Sequence, residues 1–226
     1  MARLTYFGHA AFLIDTGRHK VLIDPFISGN PKAEVNPDEI VCDAILLTHG
    51  HGDHIGDTIP IARRCGALVV TTYELAGYLD SQDVKTHPMH IGGYRKFDFG
   101  AVKLTPAFHG GAVEGANICC TPCGFLFFTD GLCLFHPGDT SLTLEFELIG
   151  RMYDLDLAML PIGDNFTMGP EDALEAVRML KPKRVVPMHF DTWDLIAQDA
   201  RSFKDKVESE TISQVVIIDP GQTIDI

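Results

Sequence analysis

Apolar residues fall in short runs separated by glycine-rich breaks along the whole chain, and the runs are of two kinds. Segments 4–7, 11–15 and 20–24 are strand-length, and Thr16-Gly17-Arg18-His19 between the last two is a hairpin-length link with a turn glycine, so the chain opens as a β-meander. Residues 26–43, rich in Pro, Asn and Gly, form a long irregular loop. The buried-type run 44–47 follows as a strand, and Ile55, Ile59 and Ala62 carry helical spacing over 55–64, closed by Gly66. Beyond it the pattern predicts a strand at 67–71, a helix at 73–79 and strands at 84–86, 94–99 and 101–107, with His87 and His90 in a linker around Pro88. Segments 124–129 and 132–135 flank Asp130-Gly131, a type I′ turn pair. Then come a helix at 141–152, a strand at 156–161, a helix opened by Gly169-Pro170 with Leu174, Val177 and Leu180 as its stripe, and a strand at 184–189. A helix at 195–207 and a strand at 214–219 close the chain.

Hairpins dominate the first half and strand-helix units the second, which predicts an α+β fold of two packed sheets with helices outside. No composition shift marks a boundary and no repeat shows by period, so 1–226 reads as a single domain, large enough to fold without metal or disulfide staples. With 18 basic against 31 acidic residues the net charge is -13, which disfavours a nucleic-acid partner. A small anionic substrate stays open, because bound divalent cations reverse the local sign. The opening residues lack an apolar signal region, and no run approaches the roughly 20 apolar residues of a membrane span, so a cytoplasmic protein with no membrane partner is expected. The six cysteines are expected as free thiols, and Cys120-Thr121-Pro122-Cys123, a lone pair at redox or zinc spacing, is a weak signal.

The chemistry is concentrated in Thr48-His49-Gly50-His51-Gly52-Asp53-His54, where three imidazoles and a carboxylate follow a strand with only glycines between them. Such a cluster at a strand end reads as a metal cradle for zinc, manganese or iron. The same grammar, an apolar strand ending in a histidine or aspartate beside a glycine or proline, recurs at His109, at His136-Pro137-Gly138-Asp139 and, after Pro187-Met188, at His189. Asp139 is placed to bridge two ions or, alternatively, to cap the next helix. Asp24 stands at a strand end either as the hydrogen-bond partner behind a ligand histidine or as an Asx turn before Pro25. His136 either supports the centre from behind or is a structural histidine.

His49-x-His51-x-Asp53-His54 followed in order by His109, Asp139 and His189 resembles the metallo-β-lactamase superfamily, and the match spans nearly the whole chain. Phe7-Gly8-His9-Ala10, Leu22-Ile23-Asp24-Pro25-Phe26 and the run from Pro161 to Pro170 further resemble the UPF0173 group of UlaG-like metal-dependent hydrolases. The resemblance implies a four-layer αββα sandwich with two divalent ions, zinc first, with manganese and iron as alternatives. His49, His51 and His109 would hold one ion and Asp53, His54 and His189 the other, with Asp139 bridging. A metal-bridging hydroxide would attack a small-molecule ester, lactone or phosphodiester, Asp53 would orient it and pass a proton to the leaving group, and His9 would contact substrate or a developing oxyanion. Homo-oligomers are common among such proteins. A tRNA-processing type of phosphodiesterase or nuclease is the first alternative, opposed by the negative charge. A di-iron oxidoreductase is the second, opposed by His51 where those proteins carry glutamate and by the lack of a flavin module.

Overall fold

The computed structural model describes residues 2–226. Strands β1 (Arg3–Gly8), β2 (Ala11–Asp15) and β3 (Lys20–Ile23) form the antiparallel meander, and β4 (Ala44–Leu46), β5 (Leu68–Thr72) and β6 (Thr86–Met89) extend it in parallel beyond β3. A second sheet repeats the plan: β7 (Tyr94–Phe97), β8 (Gly100–Pro106), β9 (Cys123–Thr129) and β10 (Leu132–His136) are antiparallel, and β11 (Leu157–Pro161), β12 (Arg184–Met188) and β13 (Gln214–Val215) add in parallel. The last strand, β14 (Thr223–Asp225), returns to pair antiparallel with β1, so each sheet has seven strands. The internal repeat is one of topology, carried by backbone pairing, and leaves no period in the sequence.

The strands at the junctions are apolar on both faces because both faces are covered. In β4, Ala44 and Leu46 point into the space between the sheets with Phe12, Phe125, Phe127 and Met159, whereas Ile45 joins Leu22, Ile61 and Leu75 on the outer side. Helices α2 (Thr58–Cys65) and α3 (Tyr73–Asp80) cover that outer face. Helices α4 (Glu145–Met152), α5 (Pro170–Leu180) and α6 (Ala200–Glu210) cover the other sheet, where Ala158 and Leu160 meet Phe146, Leu174 and Phe203. The result is the expected αββα sandwich. Among the described residues no helix is long and apolar enough to cross a membrane, and all six cysteines are free.

Several elements depart from the periodicity for reasons outside their own residues. The helix expected over 55–64 is two pieces, α1 (Gly52–Ile55) and α2, because Asp57 N–H donates to Pro25 O at 2.8 Å while its carboxylate accepts from the N–H groups of Ile27 and Ser28. Between the pieces Gly56 has φ +35°, and a Cβ there would lie 2.4 Å from Pro25 O. The helix expected from residue 141 starts at Glu145, because Ser141 N–H donates to Phe108 O and the Thr140 hydroxyl accepts from Phe108 N–H, binding this stretch to the loop after β8. The helix expected from 195 starts at Ala200, where the Asp199 carboxylate caps the N–H groups of Arg201 and Ser202. His87 and Pro88 lie in β6 and not in a linker; this is an edge strand, where a missing N–H costs no ladder bond. Only Gln214 and Val215 of the last expected strand enter a ladder, and β14, short and mostly exposed, has no alternation to announce it.

Gly56→Ala is expected to lower the unfolding free energy by at least about 2 kcal/mol, since the backbone that blocks the methyl also anchors the loop after β3. Urea unfolding of the purified variant checks this, and a loss under roughly 0.5 kcal/mol would show that the junction is not held as described.

Candidate metal centre

The centre lies where the parallel strands of both sheets end, and its foundation is a buried carboxylate. Asp24 follows β3 with φ +42° and is fully buried, so its charge requires compensation inside the protein. Its Oδ1 accepts from Thr48 N–H at 2.8 Å, and its Oδ2 accepts from the Thr48 hydroxyl at 2.6 Å and from His54 Nδ1 at 2.7 Å. The hydroxyl has one proton and gives it to Asp24, so across 2.9 Å it accepts Nδ1–H from His49. One carboxylate thereby fixes the tautomers of two histidines, and both are left presenting Nε2.

Those nitrogens converge with residues from the second sheet. The candidate ligand atoms of His49, His51 and His109 lie within 4.8 Å of one another, as do those of His9, Asp53, His54 and His189, and those of His49, His54 and Asp139. Asp139 stands at the centre: its Oδ1 is 3.2 Å from His54 Nε2, and its Oδ2 is 3.0 Å from His189 Nε2 and 3.5 Å from His109 Nε2. Yet His54 Nε2, Asp139 Oδ1 and both ring nitrogens of His189 are buried with no hydrogen bond to satisfy them. Orphaned polar atoms in such number are costly unless something binds them, and an all-nitrogen and oxygen donor set of this kind fits a divalent cation such as zinc, manganese or iron.

The electrostatics point the same way. Burial disfavours charge on His54, but Asp139 and Asp24 face its ring from two sides and hold its pKa well above the usual histidine range. Burial works against the Asp139 carboxylate too, and His54 and His189 outweigh it, holding that pKa well below the usual carboxylate range. His49 and His109 go down, chiefly by burial, and stay neutral as ligands must. The two carboxylates around His54 thus demand positive charge at the middle of the cluster.

Structure brings all seven sequence-derived ligand candidates together and assigns narrower positions to the other three. Asp24 bonds His54. His9 is fully buried and lines no part of the cavity beside the cluster; its Nε2 lies 3.1 Å from Asp53 Oδ2 and its Nδ1 2.8 Å from the Thr192 hydroxyl. The contact that His9 makes at the cluster is thus with Asp53. Burial brings its pKa down to about 4 despite that partner, so the ring is neutral near pH 7; an ionised Asp53 then requires the proton on Nε2, and Thr192 donates to Nδ1. His136 reaches no cluster side chain: Nε2–H donates to Ala10 O at 3.2 Å and Nδ1 accepts from Gly138 N–H at 3.1 Å, so it braces the turn that carries Asp139. Asp139 caps no helix.

Sequence reasoning assigned no role to Thr48, Thr192 or the cavity wall. The cavity of about 460 Å³ is lined by His51, Asp53, His109, Asp139 and His189 together with Phe166, Trp193 and Leu195. Trp193 is the single tryptophan of the chain, which was the available signal. Its ring packs edge-on against His9 with centroids 5.1 Å apart.

Comparison with known proteins gives the family. Residues 3–189 match the family model of the Beta-lactamase superfamily domain. A UPF0173 metal-dependent hydrolase of Pelotomaculum thermopropionicum is 53% identical over 99% of this chain and 100% of its own, and one of Heliobacterium modesticaldum is 50% identical over 99% and 97%. Among solved structures, Igni18, a metallo hydrolase of the archaeon Ignicoccus hospitalis, superposes with a TM-score of 0.91 at 37% identity, covering 99% of this chain and 97% of that one.

Protein loaded with zinc or manganese and freed of excess metal is expected to hold two ions per chain by elemental analysis. Asp139→Ala should lose at least one, and Asp24→Asn should weaken affinity about 10- to 100-fold while far-UV circular dichroism stays native. Full, tight occupancy in Asp139→Ala would rule out the central position given to that carboxylate.

Proposed function

The chain belongs to the Beta-lactamase superfamily and, within it, to the UPF0173 metal-dependent hydrolases, and we propose that it hydrolyses a small-molecule ester, lactone or phosphodiester at a centre of two divalent ions. The observation that carries this reading is the set of buried, unpaired ligand atoms of His54, Asp139 and His189 beside an open cavity. His49, His51 and His109 would hold one ion and Asp53, His54 and His189 the other, with Asp139 shared. Bound there, divalent ions supply Lewis acidity and bring the pKa of water toward neutrality.

The protein's own residues account for the rest. Asp53 is the carboxylate of the cluster that opens to the cavity, with 27% of its side chain exposed against 3% for Asp139. His9 donates to Asp53 Oδ2 and so holds the carboxylate at the cavity, where it would orient the attacking water and pass a proton to the leaving group. Burial would raise the Asp53 pKa, but the His9 hydrogen bond and the nearby His54 pull it below the usual carboxylate range, so the group is ionised. Water serves as nucleophile, and no serine or cysteine is needed.

A screen of esters, lactones and bis-p-nitrophenyl phosphate with zinc-loaded and manganese-loaded protein tests the reading. Turnover is expected to vanish on chelation and return with metal. Asp53→Asn should lower kcat by about 10²- to 10⁴-fold, and His9→Phe, which keeps the ring packing but removes the donor, by about 10-fold. Activity that survives complete metal removal would overturn the proposal.

A further inference from the structure

No lysine or arginine lines the cavity beside the centre; Lys32 and Arg201 lie on the neighbouring cavity that His9 borders. The segments 24–31, 47–58, 106–122, 136–144, 161–170 and 189–199 contain no lysine or arginine, although the chain has 18, and they carry Glu114, Asp164, Asp191 and Asp194 besides the acids already assigned. A distal phosphate or carboxylate on a substrate would find no cationic side chain in the lining of that cavity. What the wall does offer is apolar surface. Phe166, Trp193 and Leu195 line the cavity together with the cluster and are 51%, 41% and 64% exposed, so an apolar body seated there would cover them. The wall is preformed: the Trp193 ring is wedged edge-on against His9 and lies 6.2 Å from Phe26, and Asp191 accepts from Gln198 N–H to close its loop.

From this wall we infer the substrate class: the reacting group sits on a substrate whose remaining body is uncharged and apolar, of aromatic or medium acyl size, seated against Phe166, Trp193 and Leu195. This rests on the hydrolase reading for the reacting group alone. Negative charge on the substrate is confined to the bond being cleaved, where the centre itself supplies the opposite sign, and is rejected at the distal end. The cavity volume of about 460 Å³ admits a body of that size.

Trp193, as the single tryptophan, reports occupancy of the wall without any need for turnover. Phenylacetamide and its 4-carboxy derivative share an amide head and differ by one distal charge. Titrated into the zinc-loaded protein, and again into protein without added metal, phenylacetamide is expected to shift the Trp193 emission to the blue and to bind at least 10-fold more tightly than the carboxylated form. Leu195→Lys, a change at an exposed position, should bring the two affinities within about 3-fold of each other. In turnover, p-nitrophenyl hexanoate should exceed the mono-p-nitrophenyl ester of adipic acid by at least 10-fold in kcat/KM, and Leu195→Lys should narrow that ratio. Equal or tighter binding of the carboxylated amide by the unmodified protein, or no emission change with phenylacetamide, overturns the inference. Hydrolysis of neither ester counts against the hydrolase reading instead, and the fluorescence titration then decides the wall by itself.

Discussion

The buried Asp24 carboxylate is the constraint on which the centre depends. A fully buried charge survives only if every lone pair is used, and here the strand that follows in the sheet supplies the partners: the backbone and hydroxyl of Thr48, and the ring of His54 one turn later. Because Thr48 spends its proton on Asp24, it must accept from His49. Two candidate ligand histidines from a glycine-rich stretch are thus oriented by one anion that itself stays out of the cavity. The same bonds join the end of β3 to the loop after β4, so the order that positions ligands is also order in the sheet.

The second sheet contributes through a matching arrangement. Asp139 follows β10 as Asp24 follows β3, and His189 follows β12 at the end of the parallel strands. The halves are tied at the centre by backbone: His189 N–H donates to His9 O at 2.7 Å, and Cys123 N–H donates to Thr48 O at 3.1 Å. His9 and His189 both adopt positive φ, at 59° and 54°, a conformation uncommon for histidine and retained because the surrounding bonds over-determine it. With the ligands divided between sheets, the geometry of the cluster reports how the sheets pack, and the large aromatic residues between them, Phe12, Phe125 and Phe127, set that spacing.

Chemistry and selection are separated in space. The cluster is buried, whereas Phe166, Trp193 and Leu195 face outward, the last two on the same loop that begins with His189. Asp53, gripped by His9 from behind and open to the cavity in front, is the contact between the two regions.

The sequence alone picked out the candidate ligands and predicted most of the elements, because both signals are local. Histidine and aspartate at strand ends stand next to the apolar runs that predict those strands, and Asp130-Gly131 writes its own turn at φ +48° and +81°. Elements were misplaced where a distant partner sets the boundary: Asp57 breaks a helix by bonding the loop after β3, Thr140 and Ser141 are held by Phe108, and β14 exists only because β1 offers an edge. The roles behind the ligands were hidden for the same reason. His9 and His136 each follow an apolar strand in the sequence, and nothing local distinguishes a ring that meets Asp53 from one that meets the backbone of Ala10 and Gly138. Which atom faces which, and what wall the substrate meets, depends on loops from both sheets converging, and only the tertiary structure brings them together.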